Sequence, residues 1–281
     1  MKNKINIIVS CCAALLLVNA AQAQELQIEA GGRFIQQTSN NGFPLATNSE
    51  GYSFGLGYSY YLNSNFSIGL GVSFLKADLN YIGNSLKGSY AEEDIEGDTF
   101  EFRYSGDYYS ETVKQEVLQI PLTIQYETKG IVSWYLRTGV IYGIQTGKSK
   151  YKLNWRDLKT SGYYPQWDAE LNGPDFIGFG EHESLSRKGT VKLQNSFSWM
   201  IETGVKQQLA SNNYMYFGVF FELGLNDIRP EGNTDNEMIT FTNNINEPLQ
   251  YHSVLEQKSY QDKKLTTYMI GLKIKYGFNF K

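Results

Sequence analysis

Apolar and polar residues alternate at every second position in eight stretches of the chain. In the last of them, 265–280, every second residue from Tyr268 onward is apolar or aromatic, and apart from Met269 the residues between are small, polar or charged. Alternation with a period of two predicts a β-strand with one apolar and one polar face. Lys273 and Lys275 lie on the polar face and aromatic residues lie at both ends of the apolar face, which is typical of a strand between lipid and a polar lumen. The eight predicted strands cover approximately residues 25–35, 52–62, 66–74, 118–126, 134–145, 197–206, 214–225 and 265–280.

The connections between these strands alternate strictly between short and long. Short turns are predicted at 63–65, 128–130 and 208–213, and long connections at 36–50, 82–111, 147–188 and 226–264. This arrangement predicts an all-β fold, namely one closed antiparallel transmembrane β-barrel of eight strands, with short periplasmic turns and long extracellular loops. A soluble lipocalin-like barrel or β-sandwich is the alternative, but its apolar strand faces would point into a core. The alternating Phe100, Phe102 and Tyr104 in the second long connection also leave a count of ten strands open.

Two local irregularities are expected within the strands. After Phe74 the apolar phase shifts to Leu75, Ala77, Leu79 and Tyr81, which predicts a β-bulge near Leu75. Pro121 lies in the middle of the fourth strand and lacks a backbone donor, so we expect a bulge or a local break there.

The first 23 residues are predicted to be a secretory signal peptide, with cleavage near Ala23 and a mature barrel domain at 24–281. Lys2 and Lys4 precede an apolar run that ends at a small-residue cleavage site. A lipoprotein signal ending at Cys11 is the alternative. Both cysteines lie in this segment, so neither disulfides nor cysteine-bound metals are expected in the mature chain. Without Lys2 and Lys4, 23 basic residues remain against 29 acidic ones, a net charge of −6 that argues against a nucleic-acid partner.

The polar strand faces predict a lumen filled with paired charges. An eight-stranded barrel has an interior that side chains can fill, and an unpaired buried charge is costly, so we expect these residues to pair with one another and with inward Gln and Ser side chains. The result would be a polar plug and not a pore. The predicted inward charges are Glu29, Arg33, Arg137, Glu202, Lys206, Glu222, Lys273 and Lys275.

Several strand motifs resemble the PorT-like family of outer-membrane β-barrel proteins. They are VLQIPLTIQY at 117–126, FGLGY at 54–58, IGLGV at 68–72 and IGLKIKYGF at 270–278. The terminal Phe280 is similar to the carboxy-terminal aromatic residue that the barrel-assembly machinery recognises, although Lys281 follows it. The resemblance covers the membrane strands and not the long loops, and it implies an outer-membrane barrel without implying a substrate.

Candidate chemistry is sparse, and no catalytic, cofactor-binding or metal-binding residue is predicted. Both histidines, His182 and His252, fall in predicted outer loops, each near a serine: Ser184 and Ser253. A His beside a nucleophile is the arrangement of an acyl-transfer enzyme, but residues adjacent in an extended loop do not point at each other. The acidic run 92–98 could bind a hard cation, yet it lacks the spacing of a calcium loop, so we interpret it as a solvated charged loop.

The third long connection, 147–188, is rich in aromatic residues: Tyr151, Trp155, Tyr163, Tyr164, Trp167, Phe176 and Phe179. They could form a platform for a glycan or protein partner. We favour the alternative that they form a cluster of their own or extend the barrel strands above the bilayer.

The sequence thus predicts an integral, non-enzymatic outer-membrane barrel with a filled lumen and extracellular loops for interaction or envelope structure, and it leaves open an accessory role in transport or secretion. A lipid-modifying barrel enzyme and a small-solute or fatty-acid channel are the alternatives. The expected partners are outer-membrane lipids and lipopolysaccharide, the barrel-assembly machinery during insertion, and a protein or glycan at the extracellular loops. No cofactor is expected.

Overall fold

The computed structural model describes residues 24–37, 45–209, 212–230, 236–244, 246–257 and 264–280. The predicted signal peptide, 1–23, lies outside these residues. The described part contains two short 3₁₀ helices, Asp175–Ile177 and Val254–Glu256, and no helix in it is long and apolar enough to cross a membrane. It also contains fourteen strands: β1 (Gln24–Gln37), β2 (Leu45–Ala46), β3 (Ser49–Tyr61), β4 (Phe66–Glu93), β5 (Thr99–Glu127), β6 (Val132–Gln145), β7 (Ser149–Tyr164), β8 (Ala169–Leu171), β9 (Gly180–Val191), β10 (Ser196–Gln208), β11 (Tyr214–Gly224), β12 (Ile239–Phe241), β13 (Leu249–Tyr251) and β14 (Thr267–Phe280).

Eight of these strands pair in a ring. The order is β4-β3-β1-β14-β11-β10-β6-β5, and pairing of β5 with β4 closes it. Every neighbouring pair in the ring is antiparallel, and the first and last strands pair from Gln24↔Phe280 to Gln37↔Thr267. The predicted fold class and the count of eight strands are confirmed, and the alternative of ten strands is wrong.

The outer surface of the ring carries a continuous apolar belt. Leu272 is 68% exposed and Phe54 is 61% exposed, although both lie in the middle of regular strands. Such exposure of large apolar side chains is expected only where lipid replaces water. The belt includes Ile28, Phe34, Tyr52, Leu56, Ile68, Leu70, Leu122, Ile124, Trp134, Tyr142, Phe197, Val219, Ile270 and Ile274.

Two neighbouring strands of the ring, β4 and β5, continue beyond the belt, and together with β7 and β9 they form a wall on one side of the outer end. The wall consists of the outer halves of β4 and β5, together with β7 and β9. β7 pairs with the same edge of β5 as β6 does, but further out, and β9 pairs with β7 and leads into β10. The predicted long connections 82–111 and 147–188 are therefore mostly strand and not loop. The hairpin between β4 and β5 turns only at residues 94–98.

The predicted bulge near Leu75 is wrong. The register between β4 and β5 is unchanged from Phe66↔Tyr126 to Glu93↔Thr99, so no residue is inserted. Leu75, Ala77, Leu79 and Tyr81 lie on the inward face, and all four are almost fully buried. The apolar phase changes because the strand leaves the lipid and its inward face begins to line a hydrophobic core.

This core fills the concave side of the wall, and the segment between β11 and β14 covers it. Buried residues of β5 and β7, such as Phe102 and Trp155, pack in the same cluster as Ile239 and Val254 of that segment. The covering residues 226–230, 236–244, 246–257 and 264–266 are called the cap here. The cap includes the small β12–β13 sheet and the 3₁₀ helix Val254–Glu256.

Pro121 produces a break on one side of its strand, as expected. The pairing of β4 with β5 omits Gly71 and Val72, whereas Pro121 still pairs with Ile141 of β6. A Cβ atom on Gly71 would lie 3.3 Å from the Pro121 ring and 2.9 Å from the carbonyl oxygen of Leu56. The absence of a side chain at Gly71 therefore makes space for the proline ring within a closed sheet.

Candidate functional site

The lumen contains ten charged side chains among the described residues. All eight predicted inward charges lie there, and Glu25 and Glu127, which the sequence analysis missed, are also buried. The missed residues balance the count at five basic and five acidic groups. The signal was present in the alternation, because Glu25 shares a face with Gln27 and Glu127 shares one with Gln125.

Near the outer end of the lumen, the charges form direct ion pairs. Arg33 Nη1 lies 3.0 Å from Glu222 Oε2. Lys273 Nζ lies 3.6 Å from Glu29 and 3.4 Å from Glu202. Lys275 also pairs with Glu202 and is fully buried. The expectation that the inward charges pair with one another is confirmed for these residues.

Near the inner end, Lys206 joins two carboxylates. Its Nζ lies 3.0 Å from Glu127 and 3.2 Å from Glu25. The Tyr61 hydroxyl accepts a hydrogen bond from the same ammonium group and donates to Glu25 at 2.9 Å. This cluster closes the periplasmic end of the barrel with groups contributed by four strands.

Arg137 lies between these levels and is held by amides. Its guanidinium donates to Oε1 of Gln27 at 2.8 Å and to Oε1 of Gln125 at 3.0 Å. A neighbouring cavity, lined by Gly71, Pro121 and Arg137 among others, measures about 30 Å³. That volume holds roughly two water molecules. The predicted filling of the lumen by paired charges and amides is therefore present among the described residues.

A buried carboxylate holds the cap on the wall. Glu111 of β5 is 1% exposed and accepts hydrogen bonds from the Tyr109 hydroxyl at 2.6 Å, the Ser253 hydroxyl at 2.5 Å and the Val254 amide at 2.9 Å. Burial raises the pKa of the Glu111 carboxyl, and the hydrogen bonds from Ser253 and Tyr109 oppose that rise. Ser253 also caps the 3₁₀ helix together with Glu256. Sequence reasoning did not find this anchor, because its two halves are 142 residues apart.

The histidines do not form the arrangement of an acyl-transfer enzyme. The Ser253 hydroxyl is directed to Glu111, whereas His252 Nε2 lies 2.8 Å from the Thr240 hydroxyl. Burial lowers the pKa of His252. His182 lies on β9, where it pairs with Leu158 of β7, and this position is in the outer part of the wall, away from the apolar belt.

The acidic run forms the turn of the β4–β5 hairpin. One Asp94 carboxylate oxygen accepts from the amides of Glu96 at 2.9 Å and Asp98 at 3.0 Å, and the other accepts from the Tyr164 hydroxyl. The carboxylate of Asp94 thus satisfies backbone donors of the turn. Across the described part of the chain, no group of three His, Cys, Asp or Glu side chains is arranged to hold a metal ion.

The aromatic residues of 147–188 divide into two sets. Trp155 and Phe179 are 1% exposed and belong to the wall core, which agrees with the interpretation that they extend the barrel strands. Trp167 and Phe176 are 60% and 64% exposed at the outermost end of the wall, where Ile95 of the hairpin turn is 71% exposed. We call Ile95, Trp167 and Phe176 the tip cluster. A pocket of about 200 Å³ next to it is lined by Ile95, Phe176 and the acidic residues Asp94 and Glu96.

Comparison with known proteins gives a family and several structures of low similarity. A family model described as "Outer membrane protein beta-barrel domain" matches residues 21–230. Neisserial surface protein A is 11% identical, with a TM-score of 0.33 over 90% of this chain and 97% of that chain. The Pseudomonas aeruginosa outer membrane protein OprG is 11% identical, with a TM-score of 0.40 over 92% of this chain and 96% of that one. The amino-terminal barrel domain of P. aeruginosa OprF is also 11% identical, with a TM-score of 0.32 over 92% and 100%. A search of curated protein sequences found no match.

Proposed function

Because this chain belongs to the family of the outer membrane protein β-barrel domain, we propose that it is a non-enzymatic surface protein whose barrel anchors an extracellular interaction platform. The chain is an integral protein of the bacterial outer membrane, so the short turns face the periplasm and the wall and cap face the outside.

The observation that carries this proposal is the ion-paired lumen beneath a packed cap. Three levels of paired side chains cross the lumen, from Arg33–Glu222 through Lys273–Glu202 to Lys206–Glu127. An arrangement that must break buried ion pairs to admit a solute counts against a channel. The barrel then serves to hold the wall in a fixed position outside the cell.

The wall gives the platform rigidity. Two of its strands, β4 and β5, are continuous with the barrel, and its concave face is filled by a core that includes Leu79, Phe102 and Leu153. A rigid element that presents a small apolar cluster is the usual basis of a protein interface. An accessory role in transport or secretion would use the same platform.

The tip cluster is the part of the platform that we expect to bind. Isolated exposed apolar residues are ordinary, but here three large ones lie at the end of a rigid sheet, and two of them, Ile95 and Phe176, line a pocket. Asp94 and Glu96 line the same pocket, so the fitting partner is a protein surface with an apolar side chain next to basic residues.

An enzymatic function would need a base, a nucleophile and an orienting group in contact. The hydrogen bonds of His252 and Ser253 lead to Thr240 and Glu111 and connect no such set. We therefore expect the double variant His182→Ala/His252→Ala to leave lipid A acylation in the membrane unchanged.

The interaction is tested by site-specific photocrosslinking in the intact outer membrane. A photoreactive amino acid at position 95 should capture a defined protein partner, which is then purified. Affinity of the full-length protein for that partner should fall by about tenfold or more in Trp167→Ser/Phe176→Ser, since two central aromatic residues of an interface commonly contribute that much.

The matched control is Ile131→Ser/Val132→Ser, two apolar residues that are 70% and 59% exposed at a periplasmic turn. This control should bind like the wild type. Equal affinity of the tip variant and the wild type, or capture of a glycan without any protein, would contradict a protein-binding tip. Deleting all of 147–188 is unsuitable, because β7 and most of β9 would be lost with it.

A further inference from the structure

Six exposed lysines lie together on the outward face of the wall, just beyond the apolar belt. They are called the lysine patch: Lys114, Lys148, Lys150, Lys152, Lys188 and Lys192. They belong to β5, β7, β9 and the residues that flank them. Lys148 and Lys192 adjoin the paired ends of β7 and β9 at Ser149↔Val191.

The register places like charges directly opposite each other. Lys114 of β5 is the cross-strand partner of Lys150 of β7, and Lys152 of β7 is the partner of Lys188 of β9. Like charges at directly opposite positions destabilise a sheet. The two lysine pairs, which lie next to each other on the sheet, therefore do not stabilise the wall by themselves, and their presence calls for a different explanation.

The patch lysines differ from other surface lysines in their ion pairing. On the outer surface, lysines form ion pairs at Lys76–Glu116 and Lys159–Glu181. Within the described residues, no carboxylate lies within 4.0 Å of any ammonium group of the lysine patch. The acidic neighbours of the patch lie at its β4 side: Asp78 is the cross-strand neighbour of Lys114, and Glu116, two residues from Lys114 on the same face, is paired with Lys76.

The patch lies at the height of the lipid headgroups. Leu118 is the last outward apolar residue of β5, and Lys114 follows it four residues further out. At about 3.3 Å per residue, the patch begins roughly 13 Å along the strand from the edge of the belt. Because the outward face of the barrel continues into that of the wall, the ammonium groups project sideways over the outer leaflet.

We propose that the lysine patch binds the phosphate-bearing headgroup of lipopolysaccharide in the outer leaflet. Compact ammonium groups are suited to phosphate, and several of them near an anionic membrane surface add to one another. The local excess of positive charge contrasts with the acidic balance of the whole chain, which has 29 acidic and 25 basic residues. Bound headgroups would neutralise the two opposed lysine pairs and stabilise the wall.

The test uses the full chain in detergent micelles, titrated with diphosphorylated lipid A and followed by thermal unfolding. In the variant K114Q/K150Q/K152Q/K188Q, the Kd for lipid A should rise by about tenfold or more. Without lipid A, the same variant should melt at the same temperature as the wild type or higher, because the like-charge pairs are gone. If these lysines only stabilised the wall, the fourfold variant would melt at a lower temperature than the wild type in the absence of lipid A.

The matched control K87Q/K129Q/K159Q/K264Q removes four exposed lysines elsewhere and should keep the wild-type affinity. Wild-type affinity in the patch variant would overturn the proposal, as would an equal loss in the control or equally tight binding of dephosphorylated lipid A. If the fourfold variant does not fold, K114Q/K150Q and K152Q/K188Q are compared separately, and each should weaken binding.

Discussion

Glu111 shows how one buried side chain connects two distant parts of the chain. Its carboxylate receives three hydrogen bonds, two of them from the cap, although the surrounding core is apolar. Hydrogen bonds to a charged group are worth roughly 1.5–3 kcal/mol, but the same group costs free energy to bury. The docking of the cap should therefore depend on the protonation state of this one carboxyl group.

The sign of that dependence follows from the raised pKa of Glu111. Between its ordinary pKa and the raised one, the docked state holds more protons than the undocked state, so cap stability falls as the pH rises through that window. Each unit of pKa shift corresponds to about 1.4 kcal/mol. Hydrogen exchange of the amides in 249–257, measured from acid to neutral pH, should show this loss of protection.

Glu111→Gln is the variant that isolates this effect. Burial raises the pKa of Glu256 as well and lowers the pKa of His252, so the cap has other pH-dependent groups. Those groups remain in the variant, and the difference between the two pH profiles reports Glu111 alone. Parallel profiles for wild type and Glu111→Gln would show that the carboxyl does not control docking.

At the residue scale, the sequence predicted charges by their strand face and missed those that depend on tertiary contact. Alternation placed Lys273 and Glu202 in the lumen correctly, since each strand position points either in or out. Glu111 was assigned to the end of a loop, because no local pattern shows that Ser253 will meet it. The register alone brings Lys114 beside Lys150, and register between strands is invisible in one sequence.

At the scale of elements, β4 carries two kinds of apolar residue on opposite faces. Leu70 faces lipid and is 37% exposed, whereas Leu79 faces the wall core and is fully buried. From Leu70 to Leu79 the strand keeps one register, so what changes between these two residues is the medium around the strand. A single rule that apolar means outward therefore holds only within the belt.

This difference predicts opposite outcomes for one substitution at two sites. Leu79→Ala should destabilise the wall by about 2–5 kcal/mol, because it leaves a cavity in a packed core. Leu70→Ala should cost much less, since lipid chains fill the space. Limited proteolysis in outer-membrane vesicles measures this, with cleavage in 82–111 expected to accelerate only in Leu79→Ala.

The barrel of each variant is monitored separately by its heat-modifiable gel mobility. Leu79→Ala should keep the mobility of a folded barrel while its wall is cleaved faster. Equal protease resistance of the two variants would mean that the wall does not depend on its concave core.

The same change of medium explains which elements the sequence could not predict. The eight membrane strands were found because lipid imposes a regular alternation, and β5 was found only from Leu118 onward. The outer halves of β4 and β5, and all of β7 and β9, lie in water on one face and in a core on the other. Their turns and charges, such as those at 92–98, resemble loop composition, so the pattern favoured long loops.

At the scale of the whole molecule, the lumen charges and the cap both close the barrel. Five basic and five acidic groups inside the ring are arranged in successive levels, with each carboxylate near a cation. The cap covers the outer end through the Glu111 anchor and the wall core. Closure therefore does not depend on a single gate.

We expect the purified protein to produce no conductance steps in planar bilayers, in contrast to a general porin measured in the same cell. An ion that entered would have to separate buried pairs, at a cost of several kcal/mol per uncompensated charge. The double variant Arg33→Ala/Glu222→Ala removes the outermost pair and should also stay closed, because the Lys273–Glu202 and Lys206–Glu127 levels remain below it. Steps in the wild type would show that the lumen opens as a channel. Steps in the double variant alone would identify Arg33–Glu222 as the gate and contradict closure by successive levels.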